Sequence, residues 1–258
     1  MAFVRIDTNR RADINYIVGS TGAGKSYYIK AQIAAEKRLI VFDPDDEYGD
    51  IPGIVTVTRG ADLTAAIKAA KGGQGLKIRL VRNGVDAFEL CNALAFGWTN
   101  CTYVAEEIAD VTRVGKAPPY WGQTLRRGRK RGIRIFITTQ RPAEADKTAF
   151  TQASMIRTGL LGNFADQQAM SRSLDLPLEL IRKLGPLDFI ECHRNAKRQV
   201  FIGNAAADIR EEITEKVRSG GGGLALTEQG EKSVQTVKKP TKKQPVTKPA
   251  SAKQPAGT

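Results

Sequence analysis

The sequence has few of the residues that build metal centres or disulfide frameworks. Its 258 residues include three cysteines and one histidine, and Cys91, Cys101 and Cys192 show no paired spacing. A structural zinc site needs four suitable ligands at short spacing, so the pattern does not support one. It does not indicate a disulfide scaffold either, and we expect reduced thiols in an intracellular protein.

Long apolar runs are also missing. No uninterrupted run approaches the roughly 18–20 residues that a membrane-spanning helix needs, and the first residues lack the apolar segment of a signal peptide. We therefore expect a cytoplasmic protein without a transmembrane segment of its own, unless a partner recruits it elsewhere.

Negative charge is scarce relative to positive charge. Forty Lys and Arg stand against 27 Asp and Glu, which gives a formal net charge of +13. Residues 219–258 hold seven Lys and two Glu, so about +5 arises there and about +8 in the rest of the chain. Cationic side chains that neutralise phosphates release condensed counterions, so this balance favours polyanionic partners such as nucleic acid.

Short apolar runs alternate with helical patterns along most of the chain. Each predicted strand is a nearly continuous run of apolar, often β-branched residues, which indicates a mainly parallel sheet covered on both faces, an α/β fold. The predicted strands are 14–18, 39–42, 54–57, 78–81, 102–105, 133–138, 155–160, 187–193 and 198–202. The predicted helices are 25–37, 61–70, 86–95, 166–174, 177–184 and 206–218.

A phosphate-binding pattern lies between the first predicted strand and the first predicted helix. The segment fits G-x-x-x-x-G-K-[ST] at every fixed position. Its glycines let successive N–H groups point inward at phosphate oxygens, and the helix adds its positive end. Lys25 should reach the β- and γ-phosphates of ATP, and Ser26 should ligate Mg²⁺. The candidate ATP-binding residues are Gly19, Ser20, Thr21, Gly22, Ala23, Gly24, Lys25 and Ser26. This pattern alone does not separate kinases, GTPases and motors.

Two acidic residues follow the predicted strand 102–105. We assign Glu106 to the Mg²⁺ shell and Glu107 to polarising the attacking water. The usual first residue at this position is Asp, so Glu106 is a departure, and its longer side chain could act through a metal-bound water. The alternative is a solvated acidic helix start, stabilised by the helix dipole.

The strand 133–138 runs into Thr139-Gln140-Arg141-Pro142. A polar residue at the end of a strand beside the acidic one is well placed to sense the γ-phosphate or to position water, and Gln140 suits that role. The alternative is a residue that merely caps the strand end.

Together these motifs resemble the FtsK/HerA superfamily of DNA-pumping P-loop ATPases. The specific elements are the turn Asp43-Pro44…Glu47-Tyr48 and the ending Thr139–Pro142, and the match spans residues 13–205. Within the superfamily the chain looks like the genome-packaging ATPases of tailless, membrane-containing, tectivirus-like DNA viruses. The resemblance implies an ATP-driven double-stranded DNA translocase with a RecA-like five-stranded core and added C-terminal strands. It also implies a ring, often a hexamer, with ATP hydrolysed between subunits.

The resemblance further implies an arginine supplied by the neighbouring subunit, carried between the acidic pair and Gln140. That position is Arg129, with Arg126 and Arg127 as alternatives. A permanently charged guanidinium suits stabilisation of the transferring phosphoryl group. The surrounding basic cluster could instead face DNA or simply be solvated.

The sequence shows no recognition helix, zinc finger or RNA-binding aromatic signature, which suits a protein that grips phosphates of any sequence. Arg113 and Lys116, in the loop after the acidic pair, are candidate DNA contacts, against an ordinary surface loop. We divide the chain into a P-loop ATPase domain at 1–218 and a Gly- then Lys/Pro-rich disordered tail at 219–258. The tail could attract DNA, acidic lipid or protein, or only aid solubility.

Three alternatives stay open. One is a morphogenesis or conjugation motor, although such proteins usually carry a membrane helix. Another is a P-loop kinase of a small metabolite, and the third is a non-catalytic nucleic-acid-binding or scaffolding protein. Under the leading interpretation the partners are DNA and packaging proteins at a capsid vertex or membrane, and the location is the host cytoplasm or the virion.

Overall fold

The computed structural model describes residues 12–70, 74–194 and 197–213. Within these ranges the chain forms one ten-stranded sheet, with strand order β10-β9-β8-β7-β1-β6-β5-β2-β4-β3. The strands are β1 Ile14–Val18, β2 Arg38–Phe42, β3 Ile54–Val57, β4 Leu76–Leu80, β5 Thr102–Ala105, β6 Arg134–Thr139, β7 Met155–Thr158, β8 Asp188–His193, β9 Gln199–Asn204 and β10 Ile209–Ile213.

Strands β1 to β7 pair in parallel, and β8, β9 and β10 extend the sheet in antiparallel fashion beyond β7. This confirms the predicted fold class, a parallel α/β sheet with additional C-terminal strands. The helices are α1 Lys25–Ile33, α2 Gly60–Ala69, α3 Val85–Trp98, α4 Ile108–Val111, α5 Pro119–Arg127, α6 Lys147–Gln152, α7 Phe164–Leu174 and α8 Leu178–Arg182, and a 3₁₀ turn covers Gly128–Arg131.

Both faces of the central strands are buried. Along β1, Tyr16 and Val18 point into the larger hydrophobic core, whereas Ile17 belongs to a smaller core with Ile29 and Ile33 of α1. Alternate residues of one strand thus enter different cores. This is why the strands are continuous apolar runs in the sequence rather than alternating patterns.

The predicted helix 206–218 is wrong where the structure describes it. Ile209–Ile213 is strand β10, which pairs antiparallel with β9. A turn precedes it, in which Asn204 Oδ1 accepts the amides of Ala206 and Ala207 at 2.9 and 3.0 Å and Asp208 adopts a φ of +54°. The edge of β9 supplies backbone hydrogen-bond partners for this segment. The local sequence, which is rich in Glu, gives no sign of these partners and favours a helix. Residues 214–218 and the predicted tail 219–258 lie outside the described residues.

Three helices were not predicted: α4, α5 and α6, all within the connections that flank β6. None of the helices in the described ranges combines the length and apolar character needed to cross a membrane.

The parallel strands end at one common edge of the sheet. The loops after β1, β2, β5 and β6 therefore meet there, and so does the beginning of β8, because β8 runs in the opposite direction. Ligands of open α/β sheets bind at this carboxyl edge.

Candidate active site

The phosphate-loop segment connects β1 to α1 at this edge. The Gly19 amide donates to the carbonyl of Thr139 at 3.2 Å, and the Ser20 amide donates to the carbonyl of Leu160 at 2.8 Å. Gly22 and Gly24 have φ angles of +79° and +83°, which only glycine adopts without strain. The loop is thus anchored beside both neighbouring strands, β6 and β7, and curls above the edge.

Lys25 begins α1 and folds back over the loop. Its Nζ donates to the carbonyl of Gly19 at 2.9 Å and lies 3.6 Å from Oε1 of Glu107. The side chain is only 9% exposed. The ammonium group therefore sits between the loop and the acidic strand, where this motif places the phosphates of a nucleotide.

Glu107 follows β5 in the left-handed region, with a φ of +42°. Its amide donates to Thr138 Oγ1 at 3.0 Å, and its Oε2 accepts the amide of Gln140 at 3.0 Å. These contacts to the end of β6 hold the carboxylate beside Lys25. Few residues other than glycine adopt this conformation, and such outliers occur at functional sites.

Gln140 lies immediately after β6 and reaches the phosphate loop. Its Oε1 accepts from Thr21 Oγ1 at 3.0 Å. The structure therefore brings together Lys25, Glu107 and Gln140, three residues that the sequence placed in one site from segments more than 30 residues apart.

Glu106 is directed elsewhere. The residue is 4% exposed, and its carboxylate accepts hydrogen bonds from the hydroxyls of Tyr48 and Thr138. Burial raises the pKa of Glu106 to about 7, with help from the charges of Glu107 and Glu47, while the two hydrogen bonds act in the opposite direction.

The hydroxyl of Ser26 contacts a different carboxylate. Ser26 Oγ donates to Oε2 of Glu47, which lies in the turn after β2. Glu47 was not among the predicted site residues. The signal was present in the sequence, since the Asp-Pro…Glu-Tyr turn follows a strand that ends at the same edge.

Arg129 lies far from the phosphate loop of its own chain. It is exposed, in the 3₁₀ turn that precedes β6, whereas Gln140 directly follows the end of β6. A strand of six residues spans roughly 20 Å, so Arg129 lies at the opposite edge of the sheet. Arg126 and Arg127 are also exposed, at the end of α5.

Arg113 and Lys116 are exposed in the loop between α4 and α5. The loop is near the carboxyl edge, because Thr112 Oγ1 accepts the amide of Asp146 at 3.1 Å in the segment after β6. Both side chains thus lie at the same edge as the phosphate loop.

A strand, a glycine-rich loop and a helix with Lys25 and Ser26, set in a parallel sheet, define a P-loop NTPase. Strand β6 separates β1 from β5, the strand that leads to Glu106 and Glu107. No protein-family model matches the chain. It is 32% identical over 175 residues to Protein P9 of Pseudoalteromonas phage PM2, a match that covers 65% of this chain and 78% of that protein. The chain belongs to the family of Protein P9.

Solved structures support the fold. The genome packaging NTPase B204 of Sulfolobus turreted icosahedral virus 2 in complex with AMPPCP superimposes with a TM-score of 0.59 and 19% identity, covering 73% of this chain and 96% of B204. Its complex with ATP-gammaS gives a TM-score of 0.58 at the same identity and coverage. The predicted resemblance to viral genome-packaging ATPases is thereby confirmed.

Proposed function

We propose that the protein hydrolyses ATP to drive double-stranded DNA into a viral shell. The observation that carries the proposal is the convergence of Lys25, Glu107 and Gln140 at the phosphate loop, through contacts of 3.0–3.6 Å. B204, a genome packaging NTPase bound to ATP analogues, has the same fold and supports the same function.

The roles follow from the contacts. The amides of the loop and Lys25 bind the phosphates, and Lys25 leaves Gly19 and Glu107 when the nucleotide binds. Glu107 accepts the proton of the attacking water. Its carboxylate suits this role because it lies beside Lys25, which binds the phosphates, and beside the backbone of Gln140. The side chain of Gln140 orients that water or senses the γ-phosphate, after releasing Thr21.

Mg²⁺ fits the oxygen-rich donors at the start of α1. Mg²⁺ prefers hydroxyl, carboxylate and water oxygens, and Ser26 already contacts a carboxylate. Ser26 and Glu106 are the proposed metal residues, with Glu106 acting through a water since its own oxygens accept from Tyr48 and Thr138. The ion would neutralise charge on the β- and γ-phosphates.

We further propose a homo-oligomeric ring, a hexamer, in which Arg129 completes the site of the next subunit. Its exposure and its place at the opposite edge of the sheet suit action on a neighbour, because it cannot reach its own phosphate loop. Residues 1–218 would form the ATPase domain.

DNA would be held through its phosphates. Arg113 and Lys116 would contact it from the carboxyl edge, and the tail 219–258, with seven Lys, would add nonspecific attraction. The remaining proposed partners are packaging proteins at a capsid vertex or membrane, in the host cytoplasm or the virion. An assembly motor of the morphogenesis or conjugation type is the second candidate, and it shares the same ATPase site.

The test is the rate of ATP hydrolysis with and without long double-stranded DNA at fixed salt. We expect DNA to raise the rate for the wild type. Glu107→Gln should abolish hydrolysis and keep ATP binding. Glu144→Gln is the matched control, because Glu144 is exposed and pairs with Arg141 at 3.0 Å outside the site.

A rate that ignores DNA but depends on a small phosphate acceptor would contradict the motor and favour a kinase. Binding of ATP without hydrolysis by the wild type, with or without DNA, would favour a non-catalytic nucleic-acid-binding protein.

A further inference from the structure

The turn after β2, residues 43–48, is held at the carboxyl edge by several hydrogen bonds and ion pairs. Asp43 is fully buried, and its two oxygens accept the amides of Glu47 at 2.8 Å and of Tyr48 at 3.1 Å. A buried carboxylate that accepts two backbone amides fixes the path of the chain between them. The position of the Glu47 backbone is therefore determined by Asp43.

Arg79 of β4 secures this turn from the neighbouring strand. Its Nη1 lies 2.7 Å from Oδ2 of Asp43 and also contacts Asp46. A Cβ atom at Gly49 would lie 2.7 Å from Nη2 of Arg79, so the chain passes close against the guanidinium. The turn is thus clamped on both sides.

The same turn is joined to the acidic strand through Tyr48. The Tyr48 ring is fully buried, and its hydroxyl donates to Glu106. Glu106 in turn accepts from Thr138 of β6. Three strand ends, those of β2, β5 and β6, are linked in this way, and Glu47 is the residue between the Asp43 clamp and this link.

We propose that Glu47 is a further carboxylate of the Mg²⁺ subsite, acting beside Ser26, and that Asp43 and Arg79 are its positioning residues. The inference rests on the proposed function, because it concerns the metal that accompanies ATP. Adjacent ligands of an octahedral ion with 2.0–2.1 Å bonds lie about 2.9 Å apart, so a hydroxyl and a carboxylate that contact each other need only a small adjustment of their side chains to become neighbouring ligands. The contact between Ser26 Oγ and Glu47 Oε2 therefore brings together two oxygens that could share the ion.

The chemistry of the neighbouring acids favours Glu47 for this place. Both oxygens of Glu106 already accept from hydroxyls, and Glu107 faces Lys25 and Gln140. Glu47 is exposed, and its side chain contacts Ser26. The Glu47 side chain can move from the Ser26 hydroxyl to a cation without disturbing the packing of the hydrophobic core.

The experiment measures binding of ATPγS to the full-length protein in Mg²⁺ and in EDTA, together with Mn²⁺ binding followed by electron paramagnetic resonance. The variants are Glu47→Gln and the control Asp50→Asn. Asp50 lies three residues further along, and its side chain is 68% exposed and paired with Lys30 at 2.8 Å. Both substitutions remove one negative charge from the same segment.

We expect Glu47→Gln to bind ATPγS in EDTA as the wild type does, and to lose about tenfold or more of the affinity gained from Mg²⁺. Its Mn²⁺ affinity should fall by a similar factor, and Asp50→Asn should match the wild type. An unchanged Mg²⁺ gain in Glu47→Gln would overturn the proposal. Equal loss in EDTA and in Mg²⁺ would also overturn it, because that pattern indicates a disturbed loop.

A failure of the DNA-translocation proposal and a failure of the Glu47 proposal would give different experimental results. If wild-type hydrolysis does not respond to DNA while the Mg²⁺ gain still depends on Glu47, only the DNA function is lost and the metal role stands. If the wild type binds no ATPγS under either condition, the ATPase proposal and the Glu47 proposal both fall.

Discussion

Lys25 and Lys30 lie on the same helix but have different surroundings. Lys25 is 9% exposed between Gly19 and Glu107, whereas Lys30 pairs at the surface with Asp50. A hydrogen bond to a charged group is worth about 1.5–3 kcal/mol. Lys25→Ala should therefore weaken ATPγS binding by roughly ten- to a hundredfold or more, measured by fluorescence titration.

Lys30→Ala is the control for that measurement, and we expect its affinity to stay within about twofold of the wild type because surface ion pairs contribute little. Equal affinity losses in the two variants would argue that α1 itself had been disturbed.

Glu191 shows how a buried charge is kept ionised. It is 5% exposed and accepts from Arg157 at 2.9 Å, Arg210 at 2.8 Å and His193 at 2.6 Å. Burial alone would raise its pKa, but the hydrogen bonds from His193 and Arg210 and the charges of Arg210 and Arg157 outweigh burial and lower the pKa to about 2.

A carboxyl group with a lowered pKa in the folded state stabilises the fold above its ordinary pKa, and the contribution is lost as the pH falls toward the folded value. A shift from 4.5 to about 2 corresponds to about 3 kcal/mol. Glu191→Gln should lower the free energy of unfolding by that order at pH 7 and by less at pH 3, as measured by urea unfolding.

Glu212→Gln serves as the control for this series, because Glu212 is exposed on β10 and accepts a hydrogen bond from the uncharged side chain of Gln199 at 3.0 Å. We expect its stability to change by less than about 0.5 kcal/mol. A loss for Glu191→Gln that is the same at both pH values would show that packing, rather than charge, is responsible.

The hairpin of β9 and β10 depends on a close approach of the two backbones. A Cβ atom at Gly203 would lie 2.0 Å from the carbonyl oxygen of Ile209 and 2.6 Å from Cζ of Phe189. Gly203→Ala should therefore force the strands apart and lower stability by about 1–3 kcal/mol, measured by thermal unfolding.

The matched substitution is Gly97→Ala in α3, where an added Cβ meets no atom within 4 Å. Alanine is the better helix former, so we expect a gain of up to about 1 kcal/mol. A Gly203→Ala variant as stable as the wild type would contradict the close pairing of β10 with β9.

The same hairpin explains where prediction from sequence fails. The strands β1, β2 and β5 could be predicted because both of their faces are buried, which requires a continuous apolar run in the sequence. The segment Ile209–Ile213 is polar and exposed over most of its length, and it is a strand because β9 offers a free edge. Helix α5 was missed because the Gly- and Pro-rich connection before it suggested irregular structure. Helix α6 was missed because the strand-helix alternation becomes less regular past Pro142.

Arg129 and the phosphate loop lie at opposite edges of the sheet. If Arg129 serves the next subunit, mixing Arg129→Ala with Lys25→Ala proteins should restore part of the hydrolysis rate. Each mixed ring then contains some interfaces that combine an intact Lys25 with an intact Arg129. Hydrolysis is measured across mixing ratios, and the oligomer is sized by mass photometry to test for a hexamer.

Absence of recovery at every ratio, with mixed oligomers demonstrably formed, would exclude Arg129 and direct the same test to Arg126 and Arg127. Activity in a preparation of Lys25→Ala alone would indicate contamination rather than complementation.

Positive charge is concentrated in the last 40 residues of the chain. Removal of residues 219–258 takes away seven Lys and two Glu. We expect the truncated protein to keep its melting temperature and to bind DNA more weakly. The slope of log affinity against log salt concentration should become shallower by about 0.9 for each DNA phosphate that the tail neutralises. Fluorescence anisotropy at several salt concentrations measures this slope, and an unchanged slope would assign the tail no part in DNA binding.

The alternating α/β framework and the phosphate loop with Lys25 and Ser26 could be predicted from the order of the amino acids. The framework follows because apolar runs must be buried. The phosphate loop follows because a glycine-rich segment before a lysine lets the backbone amides surround an anion. The sequence also indicated Glu107 and Gln140, because parallel strands end at one edge.

The partners of the individual acids depend on the folded arrangement. Glu106 and Glu107 are neighbours in sequence, yet the left-handed conformation at Glu107 directs one carboxylate to Lys25 and leaves the other with Tyr48 and Thr138. Glu47 contacts Ser26 because Arg79, from another strand, holds its turn in place. Such choices depend on side chains that meet only after folding. The phosphate loop could therefore be predicted from the sequence, whereas the arrangement of the acids around it could not.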